Sequence, residues 1–276
     1  MDSAFLCTLA ALLSIALSPR AQAKEVEVIH QKAIGKNACG PCAYVNSLLR
    51  SGNKQALESL EGDTSADKVR FFAETFGNVP SIYEHKPETA YSDGDGVTDQ
   101  DLLKMVNQSR KSSGQSAVSG EHILRKPGES PTAFLERIRA SIAKSIASGF
   151  HPLLDIRCSK PVEESDGETR WHKIAGHWVC IVAIAHAADD LLVLEVADSY
   201  SGKVVSLALH CDIPNKAVVP VTLSFSEKGK VIWDWKKSDR CLFVCAPGLS
   251  IGRSKTAWFE RSYLASTYLI SATADE

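Results

Sequence analysis

The pattern of apolar residues changes once along this chain, near Gly149, and that change constrains the fold more than any other feature of the sequence. Before it, apolar residues recur at helical spacing. Cys42, Val45 and Leu49 form one stripe behind Pro41, which suits a first helical turn because its missing N–H is not needed there. Val69, Phe72 and Phe76 form a second stripe, predicting a helix over 66–76. Thr98-Asp99-Gln100-Asp101 reads as a capping box with Asp in place of Glu, opening a third helix through Leu102, Leu103 and Val106. Ser130-Pro131 opens a fourth, which carries Phe134, Leu135, Ile138, Ile142 and Ile146 and stops at Gly149. Beyond Gly149 the apolar runs are short, β-branched or alternating: 152–157, 178–185, 191–197, 203–209, 218–225, 230–235 and 241–244. Helices first and strands second predict an α+β domain, with a helical half packed on an antiparallel sheet. Residues 25–29 read as a short extended segment and 109–127 as a long polar loop. The stretch 246–276 has no clear period.

The N-terminus carries an apolar run over 4–18, too short to span a bilayer comfortably. Ala21-Gln22-Ala23 then matches a small-x-small cleavage site, and the chain turns polar at Lys24. Asp2 stands where a basic residue is usual, but the rest predicts a cleaved signal over 1–23 and a secreted or periplasmic protein. The expected division is therefore 1–23 signal, 24–245 domain and 246–276 extension. No later run is long enough to predict a stable membrane span. A net charge of −2 with no basic cluster gives no electrostatic basis for nucleic-acid binding. Of the eight cysteines, loss of Cys7 with the signal leaves an odd number in an oxidising compartment. At least one thiol then stays outside any internal pairing. Cys158 and Cys180, expected on neighbouring strands, are the first candidates for a disulfide.

Cys39-Gly40-Pro41-Cys42 at a helix start is the strongest chemical signal. A thiol there meets unpaired backbone N–H groups and the positive end of the helix dipole, and both favour the thiolate. Two chemistries share that physics. One is a redox dithiol, since C-G-P-C also heads the thioredoxin active-site helix, although only residues 24–38 precede the motif in a processed chain. The other is a nucleophile that needs a base and an orienting acid elsewhere. His177, opening the apolar run Trp178-Val179-Cys180-Ile181-Val182, is the candidate base. Asp198, closing the next run, is the candidate acceptor that fixes the imidazole tautomer. His172 is a rival base in an expected polar loop. His30, His85, His122, His151, His186 and His210 read as surface or turn residues, Cys42 as a core residue, and Asp93-Gly94-Asp95-Gly96 as a turn rather than a calcium loop.

Asn37-Ala38-Cys39-Gly40-Pro41, Gly176-His177-Trp178-Val179 and Asp198-Ser199-Tyr200-Ser201-Gly202 together resemble the papain-like cysteine peptidases. The likeness is to the bacteriocin-leader (double-glycine) peptidase branch, with phytochelatin-synthase-type enzymes sharing the core. Ser148-Gly149-Phe150-His151-Pro152 is similar to the helix end and Pro-containing strand that precede the His strand in that branch. The resemblance spans about residues 26–210 as scattered motifs. It implies a papain-like fold with the site at the junction of helices and sheet, Cys39 as nucleophile, His177 as general base and acid, and Asp198 as orienter. A peptide or protein substrate is implied, with no cofactor and no metal. The family's oxyanion glutamine stands about six residues before the cysteine, where this chain has Ala33. Gln31 is the candidate instead, reaching the site if a bulge at Ile34-Gly35 takes up two residues. Otherwise the Cys39 backbone N–H acts alone. Acyl transfer or γ-glutamyl peptide hydrolysis would use the same triad. A thiol-disulfide oxidoreductase and a binding domain without turnover are the other readings.

Overall fold

The computed structural model describes residues 27–83, 89–163, 169–210, 218–225, 231–237, 242–245, 249 and 263–272. The expected signal over 1–23, and Cys7, His85, Cys211 and Cys241, lie outside the described residues. Among the described residues, five α-helices form: α1 (Cys39–Ser51), α2 (Lys54–Glu58), α3 (Ser65–Gly77), α4 (Asp99–Ser112) and α5 (Pro131–Ala147). Helix α1 stops at Gly52, whose φ of 64° is the left-handed conformation that glycine adopts without penalty. Helices α2 to α5 all begin with a side-chain cap, from Asn53, Thr64, Thr98 and Ser130 respectively. Among the described residues, no helix is long and apolar enough to cross a membrane.

The strands are β1 (Tyr91–Ser92), β2 (Gly96–Val97), β3 (Val118–His122), β4 (Leu153–Glu163), β5 (Thr169–Ala188), β6 (Leu191–Asp198), β7 (Lys203–His210), β8 (Val218–Phe225), β9 (Val231–Lys237), β10 (Leu242–Cys245) and β11 (Tyr263–Ala272). Seven of them pair in the order β10-β7-β6-β5-β4-β11-β3, every ladder antiparallel. Strand β10 also pairs with β11, through Leu242↔Ser266 and Phe243↔Ala265. Six strands therefore run in a closed ring, and β3 is attached to β11 outside it. The α+β expectation stands in this form: mixed helix and antiparallel sheet, most of the helices first in the chain.

The sheet departs from expectation in three places. Strand β11 sits between β4 and β3, so the sheet continues past residue 245 into the stretch that showed no period. Strand β3 lies inside the expected polar loop. It is held by the β11 ladder and by Asn107, whose Nδ2 donates to Val118 O at 3.0 Å while its Oδ1 accepts from Val118 N at 2.8 Å. Tyr268 crosses this strand so closely that a Cβ at Gly120 would lie 2.1 Å from its Oη, which explains the glycine. Strands β4 and β5 extend beyond their apolar cores as a polar two-stranded arm, with pairs from Ser159↔Lys173 to Glu163↔Thr169. His172 is therefore in a strand, opposite Lys160, and not in a loop. His177 lies well inside β5 instead of at its start.

Alternation along the strands gives each sheet face its own core. On one face Leu153, Trp178, Cys180, Ala197, Tyr268 and Ile270 pack against α1, α3 and α4. On the other, Leu154, Ile156, Val179, Ile181, Leu194 and Leu207 pack against Phe134, Leu135, Ile138 and Ile142 of α5. A parity step on β4 thus sends Asp155 and Arg157 towards the α1 side.

Candidate active site

Helix α1 is the one of the five whose N-cap, Ala38, provides no side-chain hydrogen bond, and its first turn holds no acidic residue. Its opening N–H groups and dipole are thus left to act on whatever sits at Cys39, the first helical residue. The chain entering α1 is held by the β1–β2 turn: Asn37 Nδ2 donates to the carbonyls of Asp93 at 2.8 Å and Gly94 at 2.6 Å. Gly96 turns there with a φ of 72°. Gly40 is packed so tightly that a Cβ would lie 2.3 Å from Val97 Cγ1 and 3.5 Å from Trp178 Cδ1. Cys39 is partly exposed, whereas Cys42, one turn on, is fully buried.

His177 is 4% exposed and Asp198 fully buried. The imidazole Nε2–H donates to Asp198 Oδ1 at 2.7 Å. Asp198 is itself held at the end of β6 by the turn that follows. Oδ1 also accepts from Tyr200 N at 2.9 Å, Oδ2 accepts from Ser201 N at 3.2 Å, and Gly202 N closes onto Asp198 O at 2.9 Å. With Nε2 committed, Nδ1 is the ring nitrogen left for Cys39, to which His177 is hydrogen-bonded. The three residues singled out in the sequence therefore meet.

Electrostatics follow from this contact. Burial opposes ionisation of Cys39, but the hydrogen bond and charge of His177, helped by the Trp178 backbone amide, hold its thiol below the ordinary value. Burial also opposes the imidazolium, yet Asp198 and Cys39 outweigh it and raise His177 to about 9. Asp198 is lowered by His177 and by its amide donors against the cost of burial. Cys42 is pushed well up, first by burial and then by the neighbouring Cys39 charge, and stays a thiol.

Neither family models, curated proteins nor solved structures match this chain.

Gln31 lies between the turn after β6 and the chain that leads into α1. A 3-10 turn at Gln31–Ala33, with Ile34 N and Gly35 N both donating to Gln31 O at 2.9 Å, takes up the extra residues. The device is a tight turn where a bulge was expected. Gly35 follows it, where a Cβ would lie 2.1 Å from Asp93 Oδ1, the end of an exposed side chain. The buried Gln31 side chain donates from Nε2 to Lys36 O at 2.9 Å and accepts at Oε1 from Ser199 Oγ at 3.0 Å.

Two features of the site had no signal in the sequence. Ser199 ties Gln31 to the residue next to Asp198. A buried charge cluster lies beneath Cys39: Arg157 Nε donates to Asp155 Oδ2 at 2.8 Å and Nη2 to Asp99 Oδ2 at 3.2 Å, with Tyr83 donating to Asp99 Oδ1. Asp101, fully buried nearby, accepts from Ser81 Oγ at 2.7 Å and Ile82 N at 3.0 Å.

Other expectations change. Cys158 and Cys180 are on neighbouring strands, as expected, but both are free thiols. Cys180 pairs with Leu153 and Cys158 with Ala175, so they are five residues apart along β4 and face opposite cores. His151 is half-buried rather than superficial, its Nδ1 3.0 Å from Ile181 O, and burial lowers its pKa. His122 stacks edge-on against Tyr268 at 4.8 Å. Asp93–Gly96 is the turn expected. Among the described residues, no group of three or more His, Cys, Asp or Glu is placed to hold a metal ion. A groove of about 480 Å³ along α4, lined by Ile82, Leu103, Lys104 and Lys111 among others, shares no residue with the triad.

Proposed function

We propose that the protein is a secreted papain-like cysteine peptidase that hydrolyses peptide bonds through a Cys39–His177–Asp198 triad. One observation carries the reading: a partly exposed thiol at an uncapped helix start, hydrogen-bonded to a buried histidine that is itself bonded to a buried aspartate at 2.7 Å. The Cys39 thiolate attacks the scissile carbonyl carbon, a C–S bond forms, and the C=O pair moves to oxygen. His177 passes its proton to the leaving amine as the C–N bond breaks, giving a thioester. His177 then takes a proton from water, whose oxygen attacks the thioester, and the thiolate leaves as the acid is released. Asp198 stabilises the imidazolium throughout. The contact lowers the Cys39 thiol and raises His177 to about 9, and both shifts favour the thiolate–imidazolium pair that attack requires.

The test is iodoacetamide labelling below neutral pH, followed by peptide hydrolysis and insulin reduction for Cys39→Ala, Cys42→Ala and His177→Ala. The expected result is fast labelling of Cys39 alone, hydrolysis lost in Cys39→Ala and His177→Ala, and hydrolysis retained in Cys42→Ala. Equal loss in both cysteine variants with His177→Ala unaffected would overturn it in favour of a redox dithiol. Product formation only with an added amine acceptor would assign the same triad to acyl transfer.

A further inference from the structure

We infer that Lys32 selects the leaving part of the substrate, its ammonium favouring a peptide with an acidic side chain in the first or second residue after the scissile bond. The inference rests on Cys39 being the acylated nucleophile.

Position comes first. His177 gives its proton to the leaving amine, so the residues beyond the scissile bond depart over the imidazole, on the Asp198 side, while the acyl part stays with Cys39. Lys32 is tied to that side. Its ammonium lies over the Tyr200 ring, 5.2 Å from the centroid. The Tyr200 N–H donates to Asp198 Oδ1 at 2.9 Å, the same oxygen that accepts from His177 Nε2. One residue before Lys32, the Gln31 N–H donates to Ser199 O at 2.8 Å, pinning the two segments together beside the ring. A cation over an aromatic face is attracted by the ring quadrupole, which steadies an otherwise flexible side chain. Lys32 is exposed and Tyr200 half-buried, so the ammonium stands at the rim of the site, within reach of a bound peptide.

Charge comes second. Residues 30–37 and 199–204, which meet here, hold Lys32, Lys36 and Lys203 and no Asp or Glu. Lys203 is opposite Asp198 in the β6–β7 ladder, and both Lys36 and Lys203 are exposed. Arg70 adds a further cation, its Nη2 donating to Ala33 O at 2.6 Å while its Nη1 bonds to Asp67 at 2.9 Å. The Asp198 carboxylate is spent on His177 and on backbone amides. From the β1–β2 turn, Asp93 approaches at Gly35, three residues from Lys32. The rim is thus cationic where the leaving peptide passes, on a chain whose net charge is −2. A carboxylate on that peptide meets an opposite charge there, and an amide of the same shape does not.

The acyl-enzyme allows a test without the natural substrate. The Cys39 sulfur attacks p-nitrophenyl acetate at its carbonyl carbon and p-nitrophenolate leaves, giving an acetyl thioester. An added amine then attacks the thioester carbon from the place a leaving amine would vacate. A C–N bond forms, the C–S bond breaks, the thiolate is regenerated and His177 takes the amine proton. Water competes and gives acetate. Dipeptide amides with Glu, Gln or Lys in the first or second position compete for one acyl-enzyme. The ratio of their acetylated products is therefore independent of how much protein is active.

At low ionic strength, wild-type protein should transfer acetyl to the Glu acceptor about three- to fivefold faster than to the Gln acceptor in at least one position, and added salt should shrink that ratio. Lys32→Gln should bring the two rates within about twofold of each other, and Lys32→Glu should favour the Lys acceptor over Gln. Equal transfer to Glu and Gln in both positions, an undiminished Glu preference in Lys32→Gln, or an acyl-enzyme that passes to water alone would overturn the inference. Wild-type protein that forms no thioester at Cys39 would overturn the nucleophile itself, a distinct result.

Discussion

Replacing Asp198 by Asn tests the link between the acceptor and the thiolate, because it removes a charge while keeping nearly the same shape. The rise of His177 from an ordinary 6.5 to about 9 corresponds to roughly 3 kcal/mol of preference for the imidazolium. Burial works against that preference, and Asp198 and Cys39 supply it together. Loss of the Asp198 charge should remove about half, on the order of one pH unit at His177. The turn also reacts. Asp198 accepts from His177 and Tyr200 at Oδ1 and from Ser201 at Oδ2. An Asn that keeps its oxygen towards His177 turns its NH2 against the Ser201 N–H, two donors facing each other at a separation of 3.2 Å in the wild type. Leaving a buried donor unpaired costs about 1–3 kcal/mol.

The measurement is a His177 titration by long-range proton–nitrogen NMR, assigned by its absence from His177→Gln protein, alongside the pH dependence of Cys39 alkylation. In Asp198→Asn protein the His177 midpoint should fall by about one unit while the Cys39 midpoint rises towards the ordinary thiol value. The opposite directions are the signature of a coupled pair. Both midpoints staying at their wild-type positions would refute the argument that Asp198 acts on the thiolate through the ring.

Cys42→Ala removes one fully buried sulfur and should cost about 1 kcal/mol in urea unfolding, with Cys39 alkylation within about twofold of wild type. Gly40→Ala forces a Cβ against the stiff Val97 side chain at 2.3 Å and should destabilise by about 1–3 kcal/mol, read as a lowered Tm. Stability should also depend on pH in a defined way. His177, raised to about 9, contributes fully below its ordinary 6.5 and loses that contribution as pH climbs through about 9. Asp198, lowered in the fold, contributes above its ordinary 3.8 and loses that contribution in more acid solution. Cys39, lowered in the fold, contributes with the opposite sign as pH climbs towards its ordinary 9.0, so the two alkaline contributions offset each other. Tm should therefore fall mainly on the acid side, and Asp198→Asn should flatten that side.

The triad was legible because each member sits beside local punctuation. Cys39 stands before a proline that opens a helix, His177 at an apolar run after glycine, and Asp198 where an apolar strand meets a turn. Strand lengths were not legible for a physical reason. Ladder hydrogen bonds use backbone groups, so the polar arm of β4 and β5 pairs on after the apolar alternation that marks a strand has stopped. Val118–His122 and Tyr263–Ala272 likewise pair with each other across about 150 residues, and no local window holds both halves of that signal. The Cys158–Cys180 expectation identified neighbouring strands correctly but could not include the register. An odd offset along a strand is enough to put two side chains in opposite cores. Gln31 was placed by analogy, and the tight turn around it is closed by the Ile34 and Gly35 N–H groups on Gln31 O, backbone bonds that no residue pattern announces.

The buried charges show why a triad alone does not set the chemistry. Asp155 lies on the face of β4 that looks towards α1, and its charge opposes the Cys39 thiolate. Arg157, two residues on and on the same face, is bonded to it and to Asp99 in the first turn of α4. The arginine thus offsets a carboxylate that would otherwise push the thiol up, while joining the helical half to the sheet beneath the nucleophile. Its removal takes the guanidinium away from two buried carboxylates, a change that typically costs about 3–5 kcal/mol. Arg157→Met protein should accordingly unfold at much lower urea, and where it remains folded its Cys39 should ionise at higher pH than in the wild type. A variant with wild-type stability and an unshifted alkylation profile would mean that the Asp155 charge does not reach Cys39. The reactivity of the thiol would then rest on His177 and the helix start alone.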